Sequence, residues 1–107
     1  MKTIYGSFTN NQINETKVKI RKKIYFLLLI VDPKTKQNYK NVNVDEAYDS
    51  MLHRLNGLNE ILNSPQELVT VMSLLQEAKH VYDNEFDFNI YRKLVLDAGA
   101  EIMKVGE

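Results

Sequence analysis

The chain has 107 residues, 44% of them hydrophobic and 26% charged, with a formal net charge of zero and no cysteine. This balance is typical of a single globular domain, residues 1–107, whose length leaves little material for a deep substrate cavity. The lack of cysteine excludes disulfides, thiolate zinc sites and thiol nucleophiles, and it favours a reducing compartment such as the cytoplasm.

The first predicted element is a helix that begins near Asn10. Thr9 and Gln12 have the spacing of a capping box, and the apolar residues that follow recur at intervals of three, four and seven positions. The pattern ends in seven consecutive apolar residues at 25–31, after which Asp32-Pro33 would stop a helix or a strand.

The apolar run fits three structures: a membrane anchor, a strand or a core helix. Crossing a bilayer requires about 20 apolar residues, so we expect no membrane span, and the run lacks the small-residue cleavage site of an exported protein. A strand over residues 17–31 stays open, because alternate positions there are apolar and β-branched and aromatic residues are frequent. The capping box and the length of the pattern favour the helix.

A polar loop and a second helix follow. The loop covers Lys34–Val42, where Tyr39–Val42 could form a short extended pair with Ile4-Tyr5, and the N-terminus could carry a short extended segment or hairpin. Asn43 then caps the second helix, with Glu46 at its third position. The apolar seam of this helix comprises Val44, Tyr48, Met51, Leu55, Leu58 and Leu62.

Two further helices complete the chain. Ser64-Pro65 supplies an N-cap and a first-turn proline for the third, and Phe86-Asp87 opens the fourth, with Phe86 placed to pack on Tyr91 and Gly106 as the stop. The third helix presents Leu68, Met72 or Val71, Leu75, Ala78 and Tyr82 on its apolar face. The fourth presents Tyr91, Leu94, Val95, Ala98, Ile102 and Val105.

Four helices joined by mostly short loops predict an all-α fold, an antiparallel four-helix bundle. Gly57 and the sequence Ala98-Gly99-Ala100 interrupt otherwise good helices, at a cost of about 1 kcal/mol for each glycine. We expect these glycines to mark close helix packing, with a kink or the approach of a partner's backbone as the alternative.

Catalytic and metal chemistry is poorly represented in the sequence. Helix bundles hold metals through inward Glu-x-x-His pairs, but Glu77 and His80 lie outside the seam of the third helix, and His53 lies opposite the seam of the second. The serines lack a nucleophile motif, and the four glycines are too scattered for a phosphate-binding loop. We expect a protein that is not an enzyme and holds no metal or cofactor.

Charge is distributed unevenly along the chain. Residues 1–40 carry nine basic and two acidic residues, a net charge of +7, whereas residues 41–107 carry five basic and twelve acidic residues, a net charge of −7. Clustered cations favour nucleic-acid binding, because neutralising phosphates releases counterions. The residues assigned to this alternative are Lys19, Lys22, Lys34, Lys36 and Lys40. The competing interpretation is a solvated helix that acidic neighbours partly neutralise.

The acidic part of the chain favours a basic protein surface as the partner. Charge complementarity steers such associations, and aromatic residues anchor them. The residues assigned to partner binding are Asp83, Glu85, Phe86, Asp87, Asp97 and Glu101. An ordinary solvated helix face would carry similar charges.

The segments MKTIYGSF, FLLLIVDPKTK, GLNEIL with SPQELVTVMSLLQEA, and FDFNIYRKLVLDAGAEIMKV resemble short uncharacterised proteins of low-GC Gram-positive bacteria and their mobile elements. The resemblance covers nearly the whole chain and implies no activity, cofactor or site. Small cysteine-free proteins of such elements often inhibit or adapt host proteins, including CRISPR nucleases. We therefore expect a cytoplasmic protein-interaction module that binds a host protein or a second copy of itself, with nucleic-acid binding as the alternative.

Overall fold

Four α-helices make up most of the structure, a computed structural model that describes Lys2–Thr3, Gly6–Ser7 and residues 10–105, with side chains from Gln12 onward. The helices are α1 (Asn10–Leu29), α2 (Val44–Ile61), α3 (Gln66–Asp83) and α4 (Phe88–Ile102). A short 3-10 helix, Lys36–Tyr39, lies between α1 and α2. Two strands of two residues, β1 (Lys2–Thr3) and β2 (Gly6–Ser7), pair antiparallel. The predicted all-α helical bundle is confirmed.

The basic and apolar stretch at residues 17–31 is helical, so the strand alternative is wrong. α1 continues to Leu29 and buries Ile20, Ile24 and Leu27, because these side chains lie on one stripe at helical spacing. Ile30 and Val31 are also buried, just beyond the end of the helix. None of the helices in the described part of the chain has the length and apolar content needed to cross a membrane.

The extended conformation predicted for Tyr39–Val42, the half of the proposed pair that the structure describes, is wrong. Tyr39 ends the 3-10 helix, and its ring packs edge-on against Phe26 of α1, with the ring centroids 5.2 Å apart. The aromatic contact holds this loop against the bundle in a turn conformation. Ile4-Tyr5, the proposed partner, lies outside the described residues, as do the predicted cap Thr9 and the predicted stop Gly106.

Two of the predicted helix starts are confirmed. Asn43 Oδ1 accepts a hydrogen bond from the N–H of Glu46 at 3.1 Å. Asp87 Oδ1 accepts from the N–H groups two and three residues later, at 2.9 and 3.3 Å, and Phe86 packs on Tyr91 with ring centroids 5.7 Å apart. These contacts satisfy N–H groups that have no intrahelical acceptor in the first turn.

The cap predicted at Ser64 is wrong. Asn63 and Ser64 both adopt left-handed backbone conformations, with φ of 62° and 55°, and Pro65 is the residue that precedes α3. The left-handed pair directs Ser64 back toward α2, where its N–H donates to the carbonyl oxygen of Asn59 at 2.8 Å and its hydroxyl accepts from Asn59 Nδ2 at 3.3 Å. The hydroxyl is therefore not available to the first turn of α3.

The buried faces of α2, α3 and α4 follow the predicted seams closely. Val71 rather than Met72 is the buried member of the α3 pair, since Val71 is fully enclosed and Met72 is half-buried. Four predicted seam residues are only partly buried: Val44, Leu58, Tyr82 and Leu94.

α4 is the most enclosed helix, because it packs against α3 on one side and α1 on the other, whereas α1 and α2 make the loosest contact between neighbouring helices. The approach of α1 to α4 depends on Gly99, where a Cβ atom would lie 2.8 Å from Cζ of the Tyr25 ring. The predicted close packing is confirmed at Gly99. It is wrong at Gly57, which is exposed and where a Cβ would meet no atom within 4 Å.

A lysine ties α1 to the end of α4. Lys17 is only 6% exposed, and its Nζ donates hydrogen bonds to the carbonyl oxygens of Met103 and Val105 at 2.8 and 2.9 Å. A helix leaves its last carbonyls without intrahelical donors and concentrates partial negative charge there. Lys17 therefore acts as a cap supplied by another helix.

Candidate interaction surfaces

An open groove runs between α1 and α2. We define the α1–α2 groove by its lining residues: Lys19, Ile20, Lys22, Lys23, Phe26 and Leu27 of α1, and Ala47, Ser50, Met51 and Arg54 of α2. It consists of two adjoining cavities of about 420 and 260 Å³, and Lys23, Phe26 and Arg54 border both. Its floor is apolar, and its rim carries the four cations.

The four rim cations form no ion pair with the other residues that the structure describes. Within residues 12–105, all the ion pairs involve other lysines. The side chains of Lys19, Lys22, Lys23 and Arg54 form no hydrogen bond there either. Like charges three or four residues apart on one helix repel each other, as Lys19 does with Lys22 and Lys23. An anionic group that entered the groove would relieve this repulsion and cover apolar surface as well.

The second surface is the connection between α3 and α4. We define the aromatic turn as Asp83, Glu85, Phe86, Asp87 and Ile90, which the fold places around the start of α4. Phe86 and Ile90 are large hydrophobic side chains, yet they are 44% and 52% exposed. The exposed ring of Phe86 is held by edge contacts to three rings, with centroid distances of 5.4, 5.7 and 6.4 Å to Tyr82, Tyr91 and Phe88. Phe86 is therefore a preorganised aromatic anchor.

The carboxylates of the aromatic turn are only partly compensated. Lys79 Nζ forms ion pairs with both Asp83 and Asp45, the latter at 2.6 Å, and these two hydrogen-bonded carboxylates raise the pKa of Lys79. One ammonium between two carboxylates leaves one negative charge. Glu85 and Asp87 form no ion pair among the described residues, and Asp87 only accepts hydrogen bonds from the uncharged N–H groups that it caps. The turn therefore keeps a net negative charge.

The structure brings four of the six predicted partner-binding residues together, at the aromatic turn. The other two, Asp97 and Glu101, lie farther along α4, where Asp97 is about 15 Å from Asp87 at the rise of an α-helix. Each forms a local ion pair at 3.2 Å: Asp97 with Lys93 on α4, and Glu101 with Lys104, just beyond the end of the helix. The outer face of α4 is thus locally neutral.

A buried pair of tyrosines supports the aromatic turn from inside. Tyr48 donates a hydrogen bond to the hydroxyl of Tyr91 at 2.9 Å, and Tyr91 donates to the carbonyl oxygen of Leu27 at 2.7 Å, so the chain of bonds joins α2, α4 and α1. Burial raises the pKa of Tyr48 well above its ordinary value and raises the pKa of Tyr91 to about 12. The hydroxyls are therefore neutral donors that fix the ring on which Phe86 packs.

The predicted basic residues fall on two neighbouring segments. Lys19 and Lys22 lie on the rim of the α1–α2 groove. Lys34, Lys36 and Lys40 are exposed around the 3-10 helix, which Tyr39 attaches to Phe26 in the groove wall. These cations therefore border one side of the molecule.

The histidines are surface residues, in agreement with their predicted positions outside the helix seams. His53 and His80 are both exposed, and His80 lies within 3.1 Å of the amide nitrogen of Asn84. In the part of the chain that the structure describes, no three His, Asp or Glu side chains are placed to hold a metal ion together.

Sequence reasoning missed the roles of Arg54 and Lys17. Arg54 belongs to a helix whose other charged residues are mostly acidic, so it did not stand out as a basic site. Its approach to α1 depends on which helices are neighbours, and the residue spacing within α2 does not reveal this. Lys17 has a detectable signal, since it lies four residues after Ile13 and three before Ile20 and thus on the buried stripe of α1. A lysine on an apolar stripe indicates a buried cation with its own acceptors.

Comparison with protein-family models, with characterised proteins and with solved structures finds no match to this chain. The chemistry of the two surfaces therefore carries the functional inference.

Proposed function

We propose that the chain is a non-enzymatic protein-interaction module that binds its partner through the aromatic turn. The observation that carries this proposal is Phe86, an exposed aromatic ring held in place by three neighbouring rings. Rigid aromatic anchors supply a large share of interface energy, because little conformational freedom is lost when they bind. Ile90 adds apolar area beside it, and the carboxylates around both favour a partner surface that is apolar at its centre and basic at its edge.

A partner surface of that kind is typical of proteins that hold nucleic acids, which line their channels with lysines and arginines. The proposed action is occupation of such a surface, so that the chain inhibits or adapts a larger host protein. A cytoplasmic defence nuclease, such as a CRISPR nuclease, is the class of target that follows from the expected mobile-element origin. Inhibition by occupation requires only a fitting surface on the chain and no catalytic group.

The proposal is tested by capturing a partner on the immobilised chain from a nuclease-treated lysate of a low-GC Gram-positive bacterium, and then titrating the purified partner by calorimetry. We expect Phe86→Ala to weaken binding by about tenfold or more, which corresponds to about 1.4 kcal/mol. Leu29→Ala is the matched control, because Leu29 is an exposed hydrophobic residue outside the aromatic turn. Equal binding by the two variants would show that the turn is not the partner surface.

Nucleic-acid binding is the second candidate, favoured by the unpaired cations around Phe26. Replacing Lys19, Lys22 and Lys36 with glutamine removes charge from both basic segments and changes no buried side chain. The measurement is fluorescence anisotropy with labelled single-stranded and duplex DNA and RNA across a salt series. Binding that weakens steeply with salt and is lost in the triple variant would establish this function in place of the first. The proposed protein-interaction function predicts no binding of the labelled nucleic acids at about 150 mM salt.

A further inference from the structure

The α1–α2 groove has the chemistry that the aromatic turn requires of a partner. Its floor is apolar, with Phe26 and Met51 among its side chains, and its rim carries four cations without acidic partners in the described residues. The aromatic turn presents the converse: apolar side chains at its centre and a net negative charge around them. Each surface thus offers what the other lacks.

We propose that the chain binds a second copy of itself, with the aromatic turn of one copy seated in the α1–α2 groove of the next. This inference rests on the proposed function, because it uses the aromatic turn as the binding element and names the partner. Phe86 and Ile90 cover the apolar floor, while Glu85 and Asp83 meet the cationic rim. Apolar contact supplies affinity, and the charges fix the orientation.

The contact is intermolecular because the two surfaces are apart in one molecule. Lys79 joins Asp83 of the aromatic turn to Asp45, in the first turn of α2. Arg54, on the groove rim, lies nine residues farther along the same helix, about 14 Å away at the rise of an α-helix. The groove extends along α2 from Ala47 to Arg54 on the side that faces α1, whereas Asp45, which holds the turn through Lys79, faces α3. The turn of the same molecule is therefore held outside the groove, and the proposed occupant is the turn of a second copy.

The charge distribution of the whole chain permits this association. The formal net charge is zero, so two copies experience no overall repulsion, while the groove rim is cationic and the aromatic turn is anionic. Turn-to-groove contact joins two different surfaces and is therefore heterologous, which leads to rings or open chains rather than to a twofold dimer. The expected assembly grows with concentration and shrinks as salt screens the charges.

Sedimentation velocity of the 107-residue chain tests the inference. A small interface of this kind is weak, so the series should run from about 10 μM to about 1 mM protein, at low and at high salt. We expect the mean mass to rise with concentration at low salt and to fall at high salt. A chain that stays monomeric at every concentration and salt would overturn the proposal. This holds even if an acidic peptide or an oligonucleotide were then found to bind in the groove.

Two variants break one surface each and leave the fold intact, because all the residues changed are exposed. Arg54→Glu reverses a charge on the groove rim, and the double variant Glu85→Lys with Ile90→Ala changes the aromatic turn. Each should weaken self-association by about tenfold or more. Lys104→Glu, with the same change in charge as Arg54→Glu but outside both surfaces, should stay within about twofold of the natural chain. Association that either broken variant retains would contradict the assignment.

Mixing the two broken variants gives the sharpest test. The Arg54→Glu protein keeps an intact turn, and the Glu85→Lys, Ile90→Ala protein keeps an intact groove. The mixture should therefore form a one-to-one complex at concentrations where each protein alone is monomeric, and it should stop there because no second pair of intact surfaces is left. A mixture that stays monomeric would show that turn and groove do not meet. That outcome leaves the proposed host-protein binding standing, since binding by the turn is measured with a different partner.

Discussion

Helix α1 packs closely against one of its neighbours, α4, and only loosely against the other, α2. Toward α4 it is closely packed: Tyr25 lies over Gly99, Lys17 caps the end of α4, and the carbonyl of Leu27 accepts a bond from α4. Toward α2 the same helix borders an open groove with unpaired cations on its rim. The polar groups of α1 on the α4 side are thus used in folding, whereas the cations on the α2 side form no ion pair among the described residues and are the ones for which we propose a partner.

Substitutions in α1 should therefore have different effects on its α4 side and on its α2 side. Changes on the α4 side of α1 are expected to lower the free energy of unfolding and to leave the binding surfaces unaltered in a folded molecule. Changes on the α2 side are expected to alter association with little effect on unfolding. Each measurement below tests one side of this contrast.

The largest expected effect is alkaline destabilisation through the tyrosine pair. Burial raises the pKa of Tyr48 and Tyr91 above the ordinary value of 10.0, that of Tyr91 to about 12. The folded state therefore keeps protons that the unfolded state has lost. The stabilisation is complete below about pH 10 and decreases above it, by about 1.4 kcal/mol per pH unit for each tyrosine. Lys79, whose pKa is also raised, acts in the same direction.

Urea unfolding followed by circular dichroism, from about pH 7 to about pH 11.5, measures this dependence. The free energy of unfolding should be flat up to about pH 10 and fall steeply beyond it. Tyr48→Phe should reduce the slope by the share of one tyrosine, about 1.4 kcal/mol per pH unit, and leave the shares of Tyr91 and Lys79. It should also lower stability by about 1 kcal/mol at neutral pH because one hydrogen bond is lost. A curve that stays flat to the end of the range would show that the pair is not buried.

The second prediction concerns the contact between Gly99 and Tyr25. Gly99→Leu forces a side chain into space that the Tyr25 ring occupies, so we expect a loss of about 2–3 kcal/mol in the free energy of unfolding. Truncating the ring, as Tyr25→Ala in the same chain, should recover about 1 kcal/mol or more by removing the clash. Gly57→Leu is the control, because Gly57 faces open space, and it should gain up to about 1 kcal/mol from higher helix propensity. Equal effects at both glycines would contradict the close approach of α1 and α4.

These two glycines illustrate what the sequence alone predicts. Helix periodicity and capping gave the four elements, since both are local properties of the chain: Asn43 and Asp87 cap as predicted. A glycine within a helix does not reveal which other helix faces it, so Gly99 and Gly57 could not be told apart. The cap at Ser64 was mistaken because two consecutive left-handed residues, neither of them glycine, are unusual.

The candidate site was predictable only in part, for the same reason. Four acidic and aromatic residues, Asp83 to Asp87, are close in sequence and so are close in space. The ion pairs of Asp97 and Glu101 involve lysines four and three residues away in sequence, so the spacing alone predicts them. The α1–α2 groove joins residues of α1 to residues of α2 that lie 20 or more positions away in sequence, and only the packing of the helices brings Arg54 to Lys23.

A third prediction compares two lysines of α1. Lys17→Met removes the donor to two carbonyl oxygens at the end of α4, and we expect a loss of about 1–3 kcal/mol, since buried acceptors without donors are costly. Lys22→Met, at the exposed rim of the groove, should change stability by less than about 0.5 kcal/mol. Thermal and urea unfolding of both variants provide the measurement. An equal change in stability for the two variants would mean that Lys17 does not cap α4.

The smallest expected effect has the opposite sign and depends on salt. Lys23 borders both cavities of the groove, lies four residues after Lys19 and forms no ion pair among residues 12–105, so its charge is mainly repelled. Lys23→Gln should therefore raise the free energy of unfolding by about 0.2–0.5 kcal/mol at low salt. Lys104→Gln, which gives up an ion pair with Glu101, should lower it slightly under the same conditions. Both differences should vanish near 1 M salt, where the screening length is about 3 Å. Destabilisation by Lys23→Gln at low salt would mean that an anionic group of the same molecule already occupies the rim, and the groove would then not be free to receive a second copy.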